Sequence, residues 1–296
     1  MRVLDDRPRW DVEGADWPNR ETSRFVDADG LQWHVQVSGA GPTLLLLHGT
    51  GASTHSWRGM MPILSKNFTV IAPDLPGHAF TSAPPEHRLS IEGMARSISA
   101  LLNELGMTPF LIGGHSAGAA ILMRMCIDQM LAPVRLISLN GALLPFGGIA
   151  GRIFLPLAQL LATTSAAPRW FAWRAESSDV IERLLRDTGS RIDPFGVELY
   201  RRLAQSPGHV AAALAMMANW RLEDLQRDMG KLVTPIDLLV GTRDQTVPPS
   251  VAQRVKRMVP NANIYKFQRL GHLSHEEDPK SAADHFRYIL MSDAPP

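Results

Sequence analysis

Apolar residues in this chain fall into two kinds of run. Residues 43–47, 68–72, 109–113, 134–139 and 235–240 are short and almost continuously apolar, as strands covered on both faces must be. Between them the apolar positions recur at helical spacing. Residues 90–105 form the strongest case: Ile91, Met94, Ala95, Ile98, Leu101, Leu102 and Leu105 share one face, Ser90 can cap the start and Gly106 stops the run. Helices are also expected over 54–64, with Thr54 as N-cap, and over 119–130, 249–258 and 279–291. Residues 23–26 and 31–37 flank Asp29-Gly30 and read as a hairpin, and 263–267 as a last strand. Strands alternating with helices predict an α/β fold: a mostly parallel eight-stranded sheet with helices on both faces.

From Asn140 that rhythm breaks. Residues 141–168 carry a single charge, Arg152, among several prolines and glycines, and helical material follows to about Trp220. Ser206-Pro207 opens one of those helices with a cap and an N1 proline. The block reads as an α-helical lid, 141–220, inserted into a core of 23–140 and 221–296, with 1–22 as an arm against the body. Phe146, Phe154, Leu160 and Trp220 are the expected substrate-facing lid residues. A lid over an apolar pocket buries its apolar side and excludes water, and residues 143–161 also leave room for peripheral contact with a membrane surface.

Composition narrows the function classes. At 45% hydrophobic and 20% charged, 296 residues make an ordinary globular chain. A net charge of +1 argues against nucleic acid. The single cysteine, Cys126, excludes an internal disulfide, suits a reducing cytoplasm and reads as a buried small hydrophobe. The first ten residues lack the apolar stretch of a signal peptide, and nowhere does an apolar run reach the length of a membrane span. The histidines and acids lack metal-ligand spacing, so neither metal nor cofactor is expected.

The chemistry gathers around Gly114-His115-Ser116-Ala117-Gly118. Strand, G-x-S-x-G and helix in that order make a nucleophile elbow, whose sharp turn lifts a serine hydroxyl above the sheet edge. Ser116 must be strained there, and a Cβ at Gly114 or Gly118 would crowd the turn. A serine needs a base, and the base an orienting group. Asp244 follows the 235–240 strand, whereas the alternative acid position after 134–139 holds uncharged Asn140, and Asp237 lies within a strand. His272 follows the last strand. His275 competes for the base role, but Gly271 lets the loop bring His272 close to the elbow, and His275 is expected to bond backbone or Glu276. The backbone N–H groups of Ala117 and of Thr50, in His48-Gly-Thr-Gly, would hold an oxyanion. That same loop lacks the spacing of a phosphate or dinucleotide cradle.

These motifs, with Asp74-Leu-Pro-Gly77-His78 and Gly241-x-x-Asp244, resemble the α/β-hydrolase family along nearly the whole chain. Ala79 stands where many relatives carry glycine, a change expected to alter only local turn strain. Further words outside the catalytic motifs, Asp16-Trp-Pro-Asn-Arg20, Thr188-Gly-Ser190 and Met216-Met-Ala-Asn-Trp220, resemble the magnesium-chelatase accessory proteins of bacteriochlorophyll biosynthesis. That resemblance implies handling of a tetrapyrrole near magnesium insertion, with transient contact to the chelatase. It leaves three functions open: a serine hydrolase on an ester of a hydrophobic substrate such as a porphyrin, a non-catalytic porphyrin-binding accessory, and a generic esterase or carbon–carbon bond hydrolase.

Overall fold

A computed structural model of the protein describes residues 6–145, 161, 164, 166–175 and 177–293. Eight strands form one sheet: β1 (Ser23–Ala28), β2 (Leu31–Ser38), β3 (Thr43–Leu47), β4 (Thr69–Pro73), β5 (Leu111–His115), β6 (Arg135–Leu139), β7 (Ile236–Gly241) and β8 (Ala262–Phe267). Their order is β1-β2-β4-β3-β5-β6-β7-β8, with β1–β2 and β2–β4 antiparallel and every other pairing parallel. The expected mostly parallel eight-stranded sheet is therefore present.

The continuous apolar runs are explained by helices on both faces. Leu45, Leu47, Ile71, Ile112 and Leu136 face one side and pack with α2 (Ile91–Glu104) and α3 (Ala117–Ile127). Their neighbours Leu44, Leu46, Val70, Leu111 and Ile137 face the other and pack with α1 (Met61–Leu64) and Phe286. Because strand side chains alternate, an apolar run divides its residues between two cores. Ser90 caps α2, its hydroxyl accepting the Gly93 N–H at 3.1 Å. The expected helix over 54–64 instead begins as a 3-10 turn, Thr54–Trp57, capped by Ser53 rather than Thr54. Thr54 is taken up elsewhere: its N–H donates to Asp74 and its hydroxyl accepts from Trp17 of the arm.

Between β6 and β7 lie α4 (Ala166–Arg174), α5 (Ser178–Asp187), α6 (Pro194–Ala204), α7 (Pro207–Ala218) and α8 (Glu223–Asp228). Ser206 caps α7 as expected, with Pro207 at its start. After β7 come α9 (Ser250–Met258), α10 (Ser274–Glu277) and α11 (Pro279–Asp293). Cys126 is buried, which pushes its thiol up to about 11. Among the described residues no helix is long and apolar enough to cross a membrane.

The strand-end loops are tied together by buried imidazoles. His34 donates from Nδ1 to Asp74 Oδ2 at 2.7 Å, and His48 Nε2 accepts the Leu75 N–H at 2.8 Å. His209, on α7, accepts the Ala79 N–H at Nδ1 (2.9 Å) and donates from Nε2 to the Gly51 carbonyl (3.1 Å). Ala79 has φ 42°, consistent with the local turn strain expected at that position. Neutral His209 serves as donor and acceptor at once, which an imidazolium cannot do. Burial drives His209 down to about 4 and His275 to about 3, and lowers His48, His55, His78 and His115 as well.

In the unfolded chain these imidazoles protonate near pH 6.5, so below that value the unfolded state binds protons that the folded state refuses. Their contribution to stability is complete above about pH 6.5 and is lost as pH falls towards about 4, at up to about 1.4 kcal/mol per pH unit per group. The melting temperature should therefore fall steadily as pH drops from about 6.5 to about 5. His209→Gln should flatten that slope, and a melting temperature unchanged across the range would contradict the account.

Candidate active site

Ser116 joins β5 to α3 with φ 50° and ψ −114°. For a residue with a side chain that conformation costs about 1–3 kcal/mol and persists only where its surroundings enforce it. Here the Ser116 N–H donates to Leu139 O at 3.0 Å, and its carbonyl accepts the N–H groups of Ala119 and Ala142. A Cβ at Gly118 would lie 2.2 Å from the Leu47 carbonyl oxygen, and one at Gly114 2.5 Å from Ala119 N. Both glycines are thus required by close approach.

Asp244 and His272 reach the same rim from the ends of β7 and β8. His272 donates from Nδ1 to Asp244 Oδ2 at 2.8 Å, which leaves Nε2 on the opposite side of the ring. The other oxygen of Asp244, Oδ1, accepts the backbone N–H groups of Thr246 and Val247, both at 2.8 Å. Oδ2 also accepts from Asn140 Nδ2 at 2.7 Å, and Ser274 donates to Asn140 Oδ1 at 2.6 Å. In the sequence Asn140 registers only as a residue that cannot carry charge. It lies at the alternative acid position, and its amide reaches across to orient the acid that stands at the other.

Beside His272 runs a chain of tilted ring contacts: Trp57 with His275 (centroids 4.8 Å apart), His275 with His115 (4.4 Å) and His115 with His272 (4.7 Å). His115 Nε2 donates to the His272 carbonyl at 3.0 Å, tying the residue before Ser116 to the His272 loop. His275 differs from expectation. It bonds neither backbone nor Glu276; both ring nitrogens are buried without a hydrogen-bond partner among the described residues, and the ring serves as packing. Glu276 instead accepts from Tyr200 at 2.7 Å and pairs with Arg58, which also binds Asp193. Asp237 is buried within β7, where it accepts from His285, Asn263 and Arg135 as a structural partner.

Thr50 follows β3 in the loop whose neighbour Gly51 bonds His209, and its hydroxyl donates to Met216 Sδ at 3.4 Å. Ala117 opens α3, so its N–H is among those a helix leaves without an intrahelical partner. A cavity of about 510 Å³ reaches Gly51 and is walled by Trp170, Phe171, Ile181, Leu185, Leu214 and Met217, with Arg174, Tyr200 and His209 as its polar lining. Phe146, Phe154 and Leu160 lie outside the described residues. Trp220 is half-buried and packs against the main core. Among the described residues no three His, Cys, Asp or Glu side chains converge as a metal-binding group.

The family described as "Alpha/beta hydrolase family" matches residues 44–285. The magnesium-chelatase 30 kDa subunit of Rhodobacter capsulatus is 38% identical over 264 residues, covering 88% of this chain and 92% of its own. Among solved structures, the epoxide hydrolase CorEH aligns with a TM-score of 0.77 at 22% identity, over 92% of this chain and 99% of that one. A serine hydrolase of carbazole degradation, CarC, aligns with a TM-score of 0.74 at 20% identity, over 91% and 98%. At those identities the structural likeness speaks for the fold alone. The sheet order, the elbow turn and the family match agree, and the chain belongs to the alpha/beta hydrolase family.

Proposed function

We propose that the protein is a serine hydrolase that cleaves an ester of a hydrophobic substrate. The observation that carries this reading is the 2.8 Å bond from His272 Nδ1 to Asp244 at the sheet edge that also bears the strained Ser116. In the proposed mechanism Ser116 attacks the ester carbonyl while His272 Nε2 takes its proton, and Asp244 stabilises the imidazolium. The N–H groups of Thr50 and Ala117 receive the oxyanion. The imidazolium then protonates the leaving alcohol, and water, activated by the same ring, releases the acid.

The cavity wall supports the substrate class. Tyr200 Oη is engaged by Glu276, and both nitrogens of His209 are engaged by backbone. The wall therefore recognises its occupant by burial of apolar surface, and Arg174 supplies the charged contact. A tetrapyrrole ester has that chemistry, and with the 38% identity to a magnesium-chelatase subunit it carries the proposal towards the magnesium-insertion stage of bacteriochlorophyll synthesis. A second reading, a porphyrin-binding accessory that does not need its serine, is favoured by one observation, the 38% identity to a protein named as a magnesium-chelatase subunit.

A fluorophosphonate probe should label the wild-type chain and fail to label Ser116→Ala. With an ester such as p-nitrophenyl butyrate, Ser116→Ala should lower kcat by at least ~10⁴-fold. Equal labelling of the two proteins would sink the hydrolase reading. Pigment synthesis restored in a deletion strain by Ser116→Ala would favour the accessory reading instead. Asn140→Ala removes a hydrogen bond to a buried carboxylate and should lower kcat about tenfold or more, with KM little changed.

A further inference from the structure

The loop between α5 and α6 crosses to the core at Thr188-Gly189-Ser190 and makes contacts that the hydrolytic chemistry above does not use. The Thr188 carbonyl accepts two backbone N–H groups, from Gln245 at 3.1 Å and from His272 at 3.3 Å. These belong to different loops: Gln245 follows Asp244, and His272 is the base itself. Ser190, 1% exposed, accepts the Leu273 N–H at its hydroxyl at 2.8 Å. The carboxylate of Glu277 closes the ring of contacts, accepting the Gly271 N–H (2.7 Å) and the Arg191 N–H (3.1 Å).

Packing leaves this junction no slack. A Cβ at Gly271 would lie 2.3 Å from the Gly189 carbonyl carbon and 2.5 Å from Ser190 N. Gly189 has φ 85°, and a Cβ there would lie 2.0 Å from the Arg243 carbonyl oxygen. The close approach of the α5–α6 loop thus requires a glycine at 271. One short segment touches the residues that flank Asp244 on both sides and those that flank His272 on both sides. Its alignment of the two loops has a direct consequence for the bond between them, because the imidazole turns with its backbone.

We propose that Ser190 and the Thr188 carbonyl form a positioning clamp that holds the His272 loop in register with Asp244, so that the two align only while the inserted helices are seated on the core. The clamp rests on the hydrolase reading for its effect on rate, but its effect on the backbone does not. Withdrawing the α5–α6 loop would release both loops together. That couples the state of the inserted helices to the competence of the base.

The test uses the full chain with p-nitrophenyl butyrate as the probe, in Ser190→Ala, Ser190→Thr and Glu277→Gln, alongside amide hydrogen exchange over residues 270–275. Ser190→Ala should lower kcat about tenfold or more at unchanged KM, since small misplacements of a reacting group are costly. It should also speed exchange at the Leu273 amide, and Ser190→Thr, which keeps the hydroxyl, should restore both. A kcat within about twofold of wild type, or a loss confined to KM, overturns the proposal. If the wild type hydrolyses no ester and takes no fluorophosphonate, the hydrolase reading has failed and exchange alone judges the clamp: faster exchange supports it, unchanged exchange refutes it. Should Ser190→Ala not fold, Glu277→Gln carries the same measurements, because its amide keeps one acceptor where the carboxylate had two.

Discussion

A carboxylate as buried as that of Asp244, 3% exposed, is costly to bury unless its lone pairs are occupied. Four donors occupy them: two backbone N–H groups on one oxygen, Asn140 and His272 on the other. Each donor comes with a structural requirement. The backbone pair needs the tight loop after β7, Asn140 needs the end of β6 beside it, and His272 needs the loop after β8. The parallel pairing of β6, β7 and β8 brings these three loops to one rim. The sheet thus acts as a jig for a buried carboxylate.

The rest of the upper layer follows the same rule of satisfied burial, with a different residue. Histidine is used repeatedly as a neutral two-ended connector: His209 between two loops and His48 between two strand ends. A neutral imidazole can bridge a donor to an acceptor across two elements, and burial keeps it neutral. Where the rings lack partners, as at His275, they fill space in a chain of ring contacts whose last member is the proposed base. Desolvation thus keeps the connecting rings neutral, and its expected cost is sensitivity to acid.

The helices between β6 and β7 divide into two roles. Their apolar sides wall the cavity, and their loop ends reach the core through polar contacts: Thr188 and Ser190 to the His272 loop, Tyr200 and Asp193 to the Glu276–Arg58 pair, His209 to the Gly51 loop.

Much of this was legible in the chain because it is local. Continuous apolar runs mean strands covered on both faces, and the 3.6-residue period with Ser90 and Gly106 marks α2. A glycine pair around Ser116 marks a turn that tolerates no Cβ. Each depends on residues within a few positions of one another, and their spacing alone determines the strands, the elbow and the order of the candidate groups. Thr54 as a cap, Asn140 as a mere vacancy for an acid and His275 as a backbone-bonding residue all required knowledge of distant partners. Asn140 meets Asp244 across 104 positions, and Leu273 meets Ser190 across 83. Such contacts carry no periodic signature, because they arise between loops whose approach is set by strand order and helix packing. The sequence by itself determined which groups stand at the strand ends; tertiary structure decided which neighbours hold them still, because only the folded sheet brings those loops within hydrogen-bonding distance.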